Sequence, residues 1–169
     1  MSNLKYPSTK KYKLPKKNIL VISCMDLRLT DNLVDFLHFD NLHNRFDHFI
    51  LAGASLLCSA NTNLFKPGTI ANMQHWKQTL FDHVRIAVDL HQIEDIYIVE
   101  HENCGAYNEF LLSNVTTSLN KSEEDLHKEF AIELTIMLLN LSTAKSKLHI
   151  HSFYIDLRGN VKLLHTTNP

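Results

Sequence analysis

The sequence has no long apolar run. The apolar run that follows its lysine-rich start, Ile19–Ile22, is short. A membrane-spanning helix needs about 20 consecutive apolar residues, and a secretory signal peptide needs an apolar stretch of about 7–15. We therefore expect neither a membrane span nor a signal peptide, and no membrane partner.

Cysteine is scarce, and the three that occur, Cys24, Cys58 and Cys104, include no Cys-x-x-Cys pair. An odd number of cysteines without a signal peptide argues against a disulfide framework, and the missing pair argues against dithiol redox chemistry. We expect a cytoplasmic protein whose thiols stay reduced. Cys58 has no neighbour at a metal-ligand spacing, so we interpret it as structural.

The sequence also has no large excess of charge of either sign, because 17 basic and 18 acidic residues give a net charge of −1. A protein without a strong overall field is not expected to recruit nucleic acid. Six lysines nevertheless fall within residues 1–17, which we interpret as a flexible or loosely docked basic leader arm. A role for this arm in binding phosphate-rich partners is the alternative. Residues 18–169 have the length of one domain.

Short apolar runs alternate with segments of helical periodicity. Strands are predicted at 17–23, 46–51 and 93–100, helices at 32–38, 70–91 and 122–141, and a hairpin at 148–164. Asp31 is predicted to cap the first helix, and Ser122 with Asp125 resembles a capping pair for the third. Such alternation is typical of an α/β fold, with a mostly parallel central sheet flanked by helices and, here, a C-terminal strand pair.

Metal-binding residue types follow two of the predicted strands, in the segments Cys24–Arg28 and His101–Gly105. Sites in parallel sheets collect beyond the carboxyl ends of the strands, so the two segments are expected to meet. Two thiolates and one imidazole suit tetrahedral zinc and leave its fourth position open. The sequence therefore predicts that Cys24, His101 and Cys104 bind one zinc ion, against the simpler alternative of buried free thiols and a core histidine.

The order Cys-x-Asp-x-Arg and then His-x-x-Cys-Gly resembles the zinc signature of β-class carbonic anhydrases. The likeness extends over residues 18–164, through the segments 49–53, 93–106 and 151–164. It implies a β-carbonic anhydrase-like fold with one Zn²⁺ per chain, and reversible hydration of carbon dioxide to bicarbonate by attack of zinc-bound hydroxide. It also implies a homodimer or an assembly of dimers.

The resemblance gives roles to residues around the metal as well. Asp26 would be either a fourth zinc ligand in a resting form or the acceptor for the zinc-bound water. Arg28 would pair with Asp26 and hold this carboxylate off the metal. The substrate pocket would include Ala52, Gly53 and Gly105.

Several positions depart from the family pattern and keep other functions open. Leu27 replaces a small hydroxylated residue, Ile50 and Leu51 replace Arg-Asn, Glu100 replaces glycine, and residues 58–69 look like an insertion. One alternative is a related zinc hydrolase that acts on a carbon dioxide-like substrate, carbonyl sulfide or carbon disulfide. Another is a catalytically silent zinc-binding relative.

Overall fold

A computed structural model of the chain describes residues 4–58, 62–141 and 147–167. Strands and helices alternate along it until a final strand pair. In chain order the elements are β1 (Ile19–Ser23), α1 (Thr30–Phe39), β2 (Phe46–Ile50), α2 (Thr69–His91), β3 (Asp95–His101), α3 (Gly105–Phe110), α4 (Val115–Leu119), α5 (Glu123–Leu139), β4 (His149–Ile155) and β5 (Val161–Thr166).

The strands form one five-stranded sheet in the order β2-β1-β3-β4-β5. The first four are parallel, and β5 runs antiparallel to β4. This confirms the predicted α/β class and its C-terminal strand pair. β2 pairs with one side of β1, and β3 pairs with the other side. The segments that follow β1 and β3 therefore diverge, and a crevice opens between them at the carboxyl ends of these strands, where Ser23 pairs with Val99. Ligand sites of open α/β sheets lie at such switch points.

Both faces of the sheet are buried, as the unbroken apolar run of β1 predicts. Alternate residues of the strands point to opposite sides and form two separate cores. One core packs against α2 and α5 and includes Leu20, Ile22, Ile96, Ile98, Leu80, Val84 and Leu134. The other packs against α1 and includes Val21, Val99, Phe153, Leu33, Phe36 and Leu37.

Element ends differ from the sequence prediction at several points. The prediction that Asp31 caps the first helix is wrong, because α1 already begins at Thr30 and Asp31 lies in its first turn. A carboxylate in the first turn still interacts favourably with the helix dipole. The capping pair at the start of α5 is confirmed, since Ser122 and Asp125 form a reciprocal capping box. Among the described helices, none combines the length and the apolar character that a membrane crossing requires.

The start of the chain contacts the domain, although its lysines are exposed and residues 4–17 contain no helix or strand. Tyr12 is only 1% exposed, and its hydroxyl donates to the buried carboxylate of Asp40 at 2.8 Å. Tyr97 of β3 donates to the same carboxylate at 2.8 Å. Burial raises the pKa of Asp40 even though two hydroxyls stabilise its charged form. The sequence did not indicate this burial of Tyr12.

Candidate metal centre

The three predicted metal ligands converge at the crevice between β1 and β3. Cys24 directly follows β1, His101 is the last residue of β3, and Cys104 follows one turn later. One ligand atom from each lies within 4.8 Å of the other two, and the two sulfur atoms are 3.9 Å apart. Parallel pairing of β1 with β3 places these residues at the same edge of the sheet.

The donor set and its spacing fit zinc. Two thiolates at about 2.3 Å from a tetrahedral zinc ion lie about 3.8 Å from each other, close to the observed separation. The Nδ1 atom of His101 lies 2.9 Å from the carbonyl of Glu102, an arrangement that assigns the proton to Nδ1. Nε2 of His101 is buried and has no hydrogen-bond partner among the described residues. A metal ion would supply the partner that this nitrogen lacks.

Electrostatics at the two thiols favour at least one thiolate. The Cys104 thiol faces Cys24, and the backbone N–H of Gly53 donates to the Cys24 sulfur at 3.3 Å. The hydrogen bond from Cys104 lowers the pKa of Cys24 to about 4, although burial opposes this. The Cys24 thiolate in turn raises the pKa of Cys104. A thiolate beside a thiol is a good ligand pair for a soft cation, and the bound cation would displace the proton of the remaining thiol.

Asp26 and Arg28 form a close ion pair next to the sulfur atoms. The guanidinium contacts the carboxylate at 2.9 and 2.6 Å, and the same group donates to the carbonyl of Asn103 at 3.0 Å. The hydrogen bonds that Arg28 donates to the carboxylate lower the pKa of Asp26 to about 2. The carboxylate is held against Arg28 and is not part of the group of three ligand atoms described above.

The three residues assigned to the substrate pocket lie next to the metal site, and their role in a pocket stays a prediction. Gly53 has a φ of 75°, and a Cβ atom at this position would lie 3.0 Å from that of Ala106. Gly53 is therefore required for the close approach that brings its N–H to Cys24. Ala52 is half-buried in the same turn, and Gly105 is exposed at the start of α3.

A cavity of about 140 Å³ opens on the other side of Cys24 and Asp26, between α1 and the sheet. Most of its lining is apolar, with Leu29, Leu33, Val34, Leu37, Val99 and Ile155 among the contributors. His48 of β2 also lines it, and its Nε2 lies 2.7 Å from the hydroxyl of Ser23. Burial lowers the pKa of His48. His48 was not predicted as a site residue, although the alternation of Phe46, His48 and Ile50 along β2 indicates that their side chains share one side of the strand.

A buried polar network that was not predicted from the sequence lies behind the metal site. Glu100 is 1% exposed and accepts the backbone N–H of Ser55 at 3.0 Å. Its other oxygen lies 2.7 Å from Nδ1 of His127, which is fully buried in α5. Glu123, also in α5, accepts the backbone N–H of Cys104 at 3.1 Å. The signal was a carboxylate inside an apolar strand, since such a group needs buried partners.

The third thiol, Cys58, lies apart from the metal centre. It is fully buried between the sheet, α2 and α5, and burial raises its pKa to about 12. A thiol of this kind stays protonated at neutral pH, and among the described residues Cys58 belongs to no group of metal-binding side chains. Residues 59–61, at the start of the apparent insertion, lie outside the described residues.

Comparison with known proteins gives no matching family model. A protein of Rickettsia bellii, which is described only as uncharacterized, is 28% identical over 156 residues. The aligned region covers 92% of this chain and 87% of that protein. The relative supports a shared origin and carries no functional information.

Solved structures with the same fold are mostly carbonic anhydrases. The β-carbonic anhydrase CafD of Aspergillus fumigatus has a TM-score of 0.53 at 14% identity, and the alignment covers 90% of this chain and 92% of CafD. A carbonic anhydrase from Streptococcus mutans has a TM-score of 0.52 at 16% identity, with 89% and 83% covered. A carbon disulfide hydrolase has a TM-score of 0.51 at 11% identity, with 86% and 77% covered. The fold is the β-carbonic anhydrase fold, as predicted.

Proposed function

We propose that this chain is a zinc enzyme of the β-carbonic anhydrase type and that it catalyses the reversible hydration of carbon dioxide to bicarbonate. The observation that carries the proposal is the convergence of Cys24, His101 and Cys104 beside the Asp26–Arg28 pair. The buried, unpartnered Nε2 of His101 points to a ligand at this place. The fold agrees with the proposal without specifying the reaction.

Cys24, His101 and Cys104 would hold the zinc and leave one position free. When bound, zinc supplies the positive charge that makes water acidic enough to yield hydroxide near neutral pH. Asp26, ionised and held by Arg28, can only accept hydrogen bonds. Its carboxylate would accept a hydrogen bond from the attacking oxygen and orient a lone pair of that oxygen toward the substrate carbon. Arg28, which binds both carboxylate oxygens, would keep Asp26 from becoming a fourth metal ligand.

The cavity beside Cys24 and Asp26 supports a small, uncharged, apolar substrate. Its lining comes mainly from aliphatic side chains of α1 and the sheet. Carbon dioxide fits this description, and so do carbonyl sulfide and carbon disulfide. A hydrolase for one of these two molecules is the second candidate, favoured by the shared fold with a carbon disulfide hydrolase.

Two exposed apolar side chains, Met25 and Ile50, line the cavity, Leu27 follows Met25 closely in the chain, and this group supports the proposal of a homodimer or an assembly of dimers. Leu27 is 86% exposed, Met25 67% and Ile50 54%. Clustered exposed apolar groups are typical of interaction surfaces, and a second copy would cover them. We also propose a cytoplasmic location, because a reducing compartment keeps the metal-binding thiols free.

Stopped-flow hydration assays on protein with verified zinc content test the reaction. We expect rapid hydration of carbon dioxide and slower turnover of carbonyl sulfide and carbon disulfide, measured on the same preparation. The reverse order of rates would favour the hydrolase. Protein that holds one zinc per chain and turns over none of the three would contradict the enzyme proposal and identify a catalytically silent relative.

The rate should rise with pH between about 6.5 and 9. Asp26 does not titrate in this range, because Arg28 lowers its pKa to about 2 and the charged form is present at every higher pH. The proton that must be lost belongs to the attacking water, and two thiolate ligands make this water less acidic than three imidazoles would. Initial rates across this interval in buffers of constant ionic strength test the prediction, and a flat profile contradicts it.

A further inference from the structure

Glu100 is a carboxylate in the centre of a buried strand and is surrounded by donors. One oxygen accepts both the backbone N–H and the hydroxyl of Ser55. The other accepts the hydroxyl of Tyr107 at 3.3 Å and faces Nδ1 of His127 at 2.7 Å. Both Glu100 and His127 are closed off from solvent. These contacts restrict the positions of Glu100 and its partners, although Nε2 of His127 has no hydrogen-bond partner among the described residues.

One branch of the network leads to Cys24. Ser55 lies two residues after Gly53 in the same turn, and its backbone N–H and side chain are both fixed by Glu100. The N–H of Gly53 in turn donates to the Cys24 sulfur at 3.3 Å. Glu100 therefore determines where the turn can lie, and the turn determines whether this hydrogen bond reaches the sulfur.

The other branch leads to Cys104. His127 and Glu123 are separated by one turn of α5, and Nε2 of His127 lies 3.7 Å from the Glu123 carboxylate. That carboxylate accepts the backbone N–H of Cys104 at 3.1 Å. The Tyr107 ring, whose centroid is 3.7 Å from that of His127, ties α3 to the same place. The contact between Glu100 and His127 therefore anchors α5, and α5 anchors the turn that carries Cys104.

We propose that Glu100 and His127 are positioning residues for the metal centre, which hold the turn at Gly53 and the turn at Cys104 at the spacing that zinc requires. This inference rests on the proposed zinc site. Neither residue contributes a ligand atom to the site, and both would act through the turns that carry the backbone N–H groups of Gly53 and Cys104. Glu100 stands where the resembling family usually has glycine, so this anchor is a property of the present chain.

Stability alone does not explain the buried pair of Glu100 and His127. Removing two ionisable groups from water is costly, and apolar residues of the same volume are often as stabilising or more so. A geometric role accounts for the cost, because partners of metal ligands typically change metal affinity by about 10–100-fold when they are removed.

His127→Leu and His127→Asn separate positioning from plain stability. The amide nitrogen of asparagine can occupy the place of Nδ1 and donate to Glu100, whereas leucine cannot. We expect His127→Leu to weaken zinc binding by about 10–100-fold in competition with a chromophoric chelator and to shift the thiolate-to-metal absorption of the Co²⁺-loaded protein. His127→Asn should retain most of the affinity and the parental spectrum. Glu100→Gln, which keeps the shape of the side chain, should resemble His127→Leu and serves if the leucine variant fails to fold.

Asp40→Asn is the matched control. Asp40 is also a buried carboxylate that accepts two hydroxyl groups, but it contacts Tyr12 and Tyr97 instead of the metal turns. This variant should lower the melting temperature and leave the cobalt spectrum unchanged. Parental zinc affinity and spectra in both His127→Leu and Glu100→Gln would overturn the positioning role while the zinc site stands. An unaltered chain that binds no zinc would overturn both proposals.

Discussion

Replacing Cys104 by serine should yield a protein that no longer retains zinc. The serine hydroxyl does not ionise near neutral pH, and zinc in a protein site strongly prefers the thiolate. Cys104 is fully buried, 3.9 Å from the Cys24 sulfur, so no exposed neighbour can take its place without movement of the turn. Metal analysis of dialysed protein should fall from about one zinc per chain to nearly none.

Cys58→Ser is the control for this experiment. Cys58 is as buried as Cys104 and undergoes the same chemical change, but it lies in the core that packs against α2 and α5. The control should lose some stability and keep its zinc. Stoichiometric zinc in Cys104→Ser, or an equal loss in both variants, would contradict the assigned ligand set.

Asp26→Asn should keep its zinc and lose about 100-fold in kcat/KM for carbon dioxide. Asparagine has nearly the same shape, but it can present an N–H where the carboxylate offers only acceptors, and it cannot form an ion pair with Arg28. The attacking water would lose its acceptor, and the amide would no longer be fixed at 2.6–2.9 Å from the guanidinium. Stopped-flow rates normalised to zinc content measure the effect.

Asp82→Asn offers a matched comparison, because Asp82 also pairs with an arginine, Arg85, at 2.9 Å on an exposed part of α2. This variant should have parental activity, since exposed ion pairs contribute little to stability and this pair lies away from the site. If Asp26→Asn is as active as the parent, the proposed role of Asp26 is wrong, even with zinc correctly bound.

The main strands and long helices could be predicted because their patterns are long and regular. β1 and β3 are apolar runs buried on both faces, and α2 and α5 repeat apolar residues over several turns. The short helices α3 and α4 were not predicted, since six and five residues are too few to show helical periodicity. The start of α1 was misplaced because Thr30 and Asp31 are both plausible first residues of a helix.

The convergence of Cys24, His101 and Cys104 could be predicted because their motifs stand at strand ends, where topology brings distant segments together. The network around Glu100 could not, since its main partner, His127, is 27 residues away on a helix whose rotation the sequence does not reveal. The cavity was missed for a related reason. Its lining combines α1, β2 and the ends of three strands, and a void depends on how well side chains fill a space.

The burial of Tyr12 against Asp40 affects how the whole chain unfolds. If residues 4–17 detached on their own, Asp40 would lose one of its two hydroxyl donors while its carboxylate stayed enclosed between α1 and β3. Leaving a buried polar group without its partner costs about 1–3 kcal/mol, and more for a charged group. We therefore expect separate fraying of this segment to be disfavoured, so that the arm and the sheet unfold together in thermal or denaturant melting.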